Sequence, residues 1–300
     1  MFASRNRKHN RSSFFKYMTA STAEIVLSSR SLRWSSPLLF NDPFDVPREL
    51  TPGVSPQDLV AAVARRFAAL IEQPPEDASS LTPRLQLIID AVKNGIPASV
   101  RAELIASLDS EAKASIPTGD SLEAFRAMWR KSIADMRILS LTESPSHIAM
   151  WYHYAGKYTG VVLEVACVDT LDSAWLAAQR VDYPQEKPGV YTVEGWAQLL
   201  MLKPELSTQQ MLQTSTFTKS PDWSYEREWR VVTFKRPTDT GHFTDYRFDP
   251  RELVTIYLGP HIKSDDRARL IALASQYPNA KVVAVSLDLS RELLFEEMSG

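Results

Sequence analysis

Apolar and polar residues alternate at both ends of the chain, and this period of two predicts strands there. Between residues 55 and 136 the apolar positions instead recur every three or four residues, which is the period of a helix. The predicted strands cover residues 14–18, 32–35, 137–142, 161–165, 180–183, 225–234, 243–248, 253–259 and 281–287. The pattern therefore predicts an α+β fold with a mixed or antiparallel sheet and a helical insertion at about 55–136, in the N-terminal half.

Capping residues mark where the helices begin. Ser55-Pro56 and Thr82-Pro83 each combine a capping hydroxyl with a proline at the first helical position. Further helices are predicted at residues 19–29, 97–114, 122–136, 171–179, 193–202, 207–212 and 264–276. Because no Gly/Ser-rich or Pro-rich linker separates two self-contained patterns, we predict a single domain over residues 14–300.

The most unusual stretch is Tyr225 to Arg230, which runs directly into the apolar residues 231–234. If it is a strand, Glu226, Glu228 and Arg230 lie on one face, which is charged at its start and apolar at its end. A strand that carries charges out of a packed core predicts a cleft, where those charges stay hydrated or meet a ligand.

Two other segments are predicted to border this cleft. The first is a turn around Pro43, whose Asn and Asp side chains would present oxygens and an amide. The second holds polar-tipped aromatic rings that could form a pocket wall. A purely structural turn and a packed core explain the two segments equally well. The residues concerned are Asn41, Asp42 and Asp45 in the turn, and Trp151, His153 and Tyr154 in the ring segment.

Composition narrows the classes of protein that fit. The chain has 300 residues, a formal net charge of -2 at pH 7 and a single cysteine, Cys167. This charge argues against a surface built for nucleic acid or anionic lipid, and one cysteine excludes an intrachain disulfide. No membrane span or signal peptide is recognised, so the predicted location is the cytoplasm. A basic N-terminal arm at residues 1–13 is predicted to be a solvated tail, and it is the only part where nucleic acid could bind.

Familiar catalytic motifs are missing from the sequence. It has no phosphate-cradling glycine loop, no nucleophile elbow, no His-Glu-x-x-His and no dinucleotide fingerprint. Five scattered histidines and one cysteine also argue against a zinc site, so no metal ligand is assigned.

Four motifs together resemble the signature of a bacterial family of unknown function, domain of unknown function 2971. They are residues 40–45, Met150-Trp151 with Tyr154-Ala155 and Gly160, residues 223–230, and residues 256–259. The resemblance covers the chain from about Phe15 to Leu258 and implies that these motifs lie together in space. It implies no activity, because none is assigned to the family.

A weaker similarity is to ADP-ribosyltransferases, whose catalytic carboxylate lies in a Glu-x-Glu on a late strand. By this resemblance Glu228 would hydrogen-bond the nicotinamide ribose of NAD and stabilise an oxocarbenium-like transition state, while Glu226 would assist the acceptor. The leading hypothesis is therefore an NAD-using transferase that modifies a macromolecule, with toxin or phage-defence roles among the contexts it suggests. The first strand departs from those enzymes, since Lys16 and Tyr17 are its only polar candidates. The predicted substrate-binding residues are Tyr17, Arg33, Asn41, Asp42, Asp45, Trp151, His153, Tyr154 and Arg230.

Two other hypotheses stay open. In the first, Glu226 and Glu228 form structural ion pairs with neighbouring arginines, in a non-enzymatic binding or sensing module. In the second, Asp42 and Asp45 join the two glutamates to hold Mg²⁺ in a phosphodiesterase or nuclease. The predicted cleft for a small-molecule ligand requires the turn, the ring segment and the charged strand to converge.

Overall fold

The structure is a computed structural model, and it describes residues 4–50, 54–116 and 119–298. The chain divides into two compact units. A sheet unit contains Met1–Asn41, Ala134–Tyr183 and Lys219–Gly300, and a helical unit contains Asp42–Ile133 and Pro184–Thr218. The strands are β1 (Ser13–Met18), β2 (Ser31–Ser35), β3 (Met136–Thr142), β4 (Val161–Ala166), β5 (Gln179–Arg180), β6 (Glu228–Phe234), β7 (Phe243–Arg247), β8 (Leu253–Leu258), β9 (Lys281–Leu287) and β10 (Leu293–Glu297). The helices are α1 (Ala20–Ser29), α2 (Pro56–Glu72), α3 (Pro83–Lys93), α4 (Ala98–Ala106), α5 (Leu108–Ser115), α6 (Gly119–Asp135), α7 (Ile148–His153), α8 (Val193–Met201), α9 (Pro204–Phe217) and α10 (Ser264–Ala274).

The ten strands in the described part of the chain form one mixed sheet. Its order is β10-β9-β8-β4-β1-β3-β2-β7, and β6 lies off this path, where it pairs with β3 and β5. The pairing of β8 with β9 is parallel, whereas β1 with β4 and β3 with β6 are antiparallel. The predicted α+β fold with a mixed sheet is confirmed.

The sheet carries an apolar core on each face. Consecutive residues of β1 point to opposite faces, and both Phe14 and Phe15 are buried. Phe14 belongs to a core that includes Leu27 of α1 and Leu270 of α10. Phe15 belongs to a second core with Trp151, against which several half-buried tyrosines pack. The candidate site described below lies at the edge of this second core.

The helical unit begins as its capping residues predict. Ser55 Oγ accepts a hydrogen bond from the Asp58 amide at 3.1 Å, and α2 begins at the following proline. α3 likewise begins at Pro83, although the side chain of Thr82 makes no capping bond. The later helices α8 and α9 belong to the same unit, and a backbone bridge joins residues 81 and 202. Within the described residues, no helix combines the length and the hydropathy needed to span a membrane.

Three local predictions are wrong. Residues Pro221–Glu226 form a 3-10 helix and Arg227 is left-handed with a φ of 44°, so the strand begins only at Glu228. In place of the helix predicted at 171–179, Asp169–Leu171 and Ala174–Ala177 form two short 3-10 helices and Gln179 begins β5, because Asp172 is left-handed and the indole of Trp175 donates to the carbonyl of Ala166 at 2.7 Å. The helix predicted at 97–114 is divided at residue 107 into α4 and α5.

Within the described residues, the basic N-terminal arm is bound to the sheet unit from Ser4 onward, which corrects the prediction of a solvated tail for this part; residues 1–3 lie outside the described residues. Arg7 donates to both carboxylate oxygens of Asp169, at 2.9 and 2.7 Å. His9 Nε2 lies 2.8 Å from the backbone carbonyl of residue 175, and Arg11 lies 3.3 Å from Glu143. Three basic side chains of the arm, those of Arg7, His9 and Arg11, therefore have acidic or carbonyl partners within the protein.

Candidate functional site

Four charged side chains meet at the start of β6 and are almost excluded from solvent. Lys219 Nζ lies 2.6 Å from Oε2 of Glu226 and 3.4 Å from Oε2 of Glu228. Arg230 donates from Nε to Oε1 of Glu228 and from Nη2 to Oε2, both at 2.8 Å. The exposed fraction of these side chains is 6% for Lys219, 4% and 6% for the two glutamates, and 0% for Arg230. We call these four residues the charge cluster.

The backbone around the cluster is fixed on both sides of a tight turn. Thr142 Oγ1 donates to the carbonyl of Glu226 at 2.7 Å, and the amide of Glu228 donates to Tyr183 Oη at 2.9 Å. Between the two glutamates, the left-handed Arg227 turns the chain from the 3-10 helix into β6. This turn, and not the alternation of a strand, brings both carboxylates to the same lysine.

Burial and pairing shift the pKa values of the two glutamates in opposite directions. Burial raises the pKa of Glu228, but the charge and hydrogen bonds of Arg230, together with Lys219, outweigh burial and hold it below its usual value. For Glu226 burial is the largest effect and raises the pKa, against the opposing charge of Lys219. Burial also raises the pKa of Tyr154, whose hydroxyl donates to Oε1 of Glu226 at 2.5 Å.

Every carboxylate oxygen of the charge cluster therefore has a hydrogen-bond donor. Each oxygen of Glu228 accepts a hydrogen bond from Arg230, and each oxygen of Glu226 has a donor in Lys219 or Tyr154. A buried pair satisfied in this way holds a geometry, and loss of one member leaves the other charge buried and unpaired. Across residues 4–50, 54–116 and 119–298, no group of three or more His, Cys, Asp or Glu side chains could hold a metal ion. The magnesium hypothesis gains no support from this arrangement.

Beside the cluster, six rings follow one another in an unbroken row, and each is at least partly exposed. The row begins next to the cluster, because Lys219 Nζ lies 5.0 Å from the centroid of its first ring. Successive ring centroids are 6.1, 6.3, 5.3, 6.3 and 5.9 Å apart. We call it the aromatic row, and its members in order are Trp223, Tyr225, His153, Tyr152, Tyr158 and His261.

The far end of the row is built on a strained turn between α7 and β4. Lys157 and Tyr158 have φ values of 54° and 70°, a left-handed conformation that is uncommon for residues with a Cβ. The amide of Gly259 donates to the carbonyl of Gly160 at 2.9 Å, which ties the turn to β8. A Cβ on Gly160 would lie 2.3 Å from the carbonyl oxygen of Met18, so only glycine fits there.

A family model described as a protein of unknown function, DUF2971, matches residues 150–231. The chain resembles DUF2971 over this range. The resemblance predicted from the motifs is thereby confirmed for these residues. No curated protein and no solved structure matches the chain.

The DUF2971 segment contains most of the candidate site. It includes the charge cluster, Tyr154, the strained turn and five of the six rings of the aromatic row. The motif at residues 256–259 lies outside the segment and meets it through the bond between Gly259 and Gly160. The motif at residues 40–45 also contacts this segment, since the ring centroid of Phe40 lies 5.5 Å from Arg230 Cζ. Residues from all four motifs therefore meet within the sheet unit.

Several predicted site residues are brought together, and others pack elsewhere in the sheet unit. Tyr154 joins Glu226, Glu228 and Arg230 at the cluster, and His153 lies in the aromatic row. Two other predicted residues, Tyr17 and Trp151, have buried rings that meet edge to face with their centroids 5.5 Å apart. The Tyr17 hydroxyl and the Trp151 indole N–H each donate to a backbone carbonyl. Both rings therefore pack in the core and do not line an open wall.

The remaining predicted residues are divided between β2, the end of the sheet unit's first segment and the helical unit. Arg33 lies on β2 and pairs with Asp245 on β7, where both side chains are exposed. Asn41 ends the sheet unit, whereas Asp42 and Asp45 belong to the helical unit. A role in binding or catalysis stays a prediction for all eleven residues of the predicted site.

Sequence reasoning missed Lys219, which pairs with both glutamates. Arg227, which lies between the two glutamates in the sequence, has a side chain that is 56% exposed and lies 3.7 Å from Glu143. The left-handed turn at Arg227 directs this side chain outward. Buried carboxylates need hydrogen-bonding or cationic partners, so a second cation could be expected near the glutamates. This requirement does not indicate where in the sequence that cation lies. Lys16 is a further, half-buried cation; burial lowers its pKa, and its Nζ donates to the carbonyl of Ser140 in β3 at 2.7 Å.

Proposed function

We propose that the protein is a non-enzymatic binding module, whose aromatic row binds a small ligand with a flat aromatic ring and a negative charge, such as a nucleotide. The observation that carries this proposal is a contrast in exposure. The carboxylates of Glu226 and Glu228 are buried and bonded to protein cations, whereas the rings beside them are half-buried or exposed. Side chains whose hydrogen bonds are all made within the protein stabilise the structure, whereas side chains accessible to solvent can contact a ligand.

The chemistry of the row suits a nucleotide. Stacking of a base on an aromatic side chain contributes about 1–3 kcal/mol, and the tyrosine and histidine members also offer polar tips for hydrogen bonds. Lys157 lies on the strained turn with its Nζ 5.8 Å from the Tyr152 ring, so a cation for a phosphate group is at hand. The strain at Lys157 and Tyr158 supports the proposal, because left-handed residues with side chains collect at sites of function.

A transferase that uses NAD is the second candidate. The contact between Tyr154 and Glu226 favours it, because it joins one carboxylate of the Glu-x-Glu to the ring segment, where nicotinamide could stack. The proposed chemistry also needs the carboxylate of Glu228 to reach a ribose hydroxyl. That carboxylate would have to break its two hydrogen bonds to the fully buried Arg230 and its contact with Lys219, at the cost of separating a buried ion pair. Binding without turnover is therefore the function that the geometry supports best.

Calorimetric titration of the full chain with AMP and with NAD tests the proposal. We expect saturable binding to the wild type, and Tyr225→Ala should weaken it by about 5- to 150-fold, which corresponds to a stacking loss of about 1–3 kcal/mol. The matched control is Tyr191→Ala, because Tyr191 is 40% exposed but belongs to the helical unit. This control should bind both nucleotides as the wild type does.

Two outcomes would overturn the binding-module proposal. If neither nucleotide binds, or if Tyr225→Ala and Tyr191→Ala bind alike, the aromatic row is not the site. If the wild type instead releases nicotinamide from NAD, and Glu228→Gln abolishes that release at unchanged stability, the transferase is the correct function.

A further inference from the structure

A partly open cavity of about 270 Å³ lies in the helical unit, and all of its lining residues belong to that unit. Its wall is mainly apolar and comes from four helices, with Phe67 from α2, Ile88 from α3, Leu104 from α4 and Leu200 from α8. Protein interiors are packed as densely as organic crystals and contain few voids larger than a water molecule. A cavity of this size and chemistry therefore indicates a site for an apolar ligand.

We propose that this cavity binds a small amphipathic anion, in which a hydrocarbon chain ends in a carboxylate. An engineered apolar cavity of about 150 Å³ holds benzene, so a chain of roughly eight carbons fits a space nearly twice as large. Ligand sites are commonly apolar with a few polar groups that fix the orientation of the ligand. A medium-chain fatty acid has this combination of size, hydrophobicity and charge.

The carboxylate would be placed at the start of α3. Thr82, Arg84 and Leu85, all from the first turn of this helix or its cap, contribute to the lining. Arg84 supplies a guanidinium, whose geometry matches a carboxylate. The positive end of the 11-residue helix adds to that charge, and the Thr82 side chain makes no capping bond that would compete for the helix terminus. Anion recognition thus lies beside the apolar wall in the same cavity.

Calorimetric titration of the full chain with octanoate, hexanoate and 1-octanol tests the proposal. Octanoate should bind saturably, and hexanoate about 15-fold more weakly, because each methylene withdrawn from water changes affinity about fourfold. Arg84→Gln should weaken octanoate severalfold while leaving 1-octanol unchanged, since only the acid carries the charge. Lys93→Gln, at the opposite end of α3, is the matched control for charge and should bind both as the wild type does.

Filling the cavity provides an independent test. Ile88→Trp should abolish octanoate binding, whereas Leu87→Trp should not, because Leu87 is the preceding residue of α3 and is 72% exposed. Should Ile88→Trp fail to fold, the exposed Arg84→Gln variant still decides the question. The proposal is overturned if octanoate does not saturate, if hexanoate binds equally well, or if Arg84→Gln weakens octanoate no more than Lys93→Gln.

Discussion

Replacing Glu228 by glutamine separates a structural charge cluster from a catalytic carboxylate. The substitution keeps the size of the side chain but removes its charge, so the fully buried Arg230 loses the carboxylate that accepts two of its hydrogen bonds, and Lys219 loses one of its two carboxylate neighbours. Removing one member of a buried ion pair costs about 3–5 kcal/mol, because the remaining charge stays out of water without compensation. We therefore expect Glu228→Gln to lower the free energy of unfolding by about that amount.

Urea titration followed by tertiary-structure signals measures this loss. The matched control is Glu194→Gln, since Glu194 pairs with Arg65 where the two side chains are 53% and 63% exposed. Exposed pairs contribute at most about 1 kcal/mol, so the control should be nearly as stable as the wild type. If Glu228→Gln loses no more stability than Glu194→Gln, the reasoning from burial is refuted.

The loss in the free energy of unfolding caused by Glu228→Gln should also depend on pH. The pKa of Glu228 is held below its unfolded value of 4.5, so its contribution to stability is complete above pH 4.5 and is lost as pH falls through the folded value. The stability difference between wild type and Glu228→Gln should therefore be constant from pH 7 to about 5 and shrink at lower pH. A difference that grows on acidification would show that the sign of the shift is wrong.

Two further predictions concern the strained turn and the N-terminal arm. Gly160→Ala should destabilise the protein by about 2–3 kcal/mol or more, because the new Cβ would lie 2.3 Å from the backbone oxygen of Met18, whereas Gly189→Ala should be tolerated since its nearest neighbour is 3.4 Å away. Equal melting temperatures for the two variants would contradict this. Burial lowers the pKa of His9 below 6.5, so its contribution to stability is lost as pH falls from 6.5 through the folded value, and His9→Gln should flatten the fall in melting temperature over that range. An unchanged slope would show that His9 does not titrate as expected.

The sequence by itself determined the class of fold and most of its regular elements. Apolar and polar residues alternate in 14–18 and 161–165, and an apolar stripe follows Ser55. These patterns indicate which face of each segment is buried, and burial of one face is a local property of the chain. The motifs also identified the right neighbourhood, since Tyr154, Glu226, Glu228 and Arg230 do lie together. Element type and the general position of the site therefore follow from periodicity and residue chemistry.

Only the tertiary structure decided which charges pair and which side chains stay open. The left-handed Arg227 has no periodic signature, yet it turns its own side chain outward and leaves Lys219 to pair with both glutamates. The docking of the N-terminal arm, the order of the rings in the aromatic row and the grouping of residues 184–218 with the helical unit are equally non-local. Each depends on contacts between residues far apart in the chain, and the pattern of apolar positions within a segment carries no information about its distant partner.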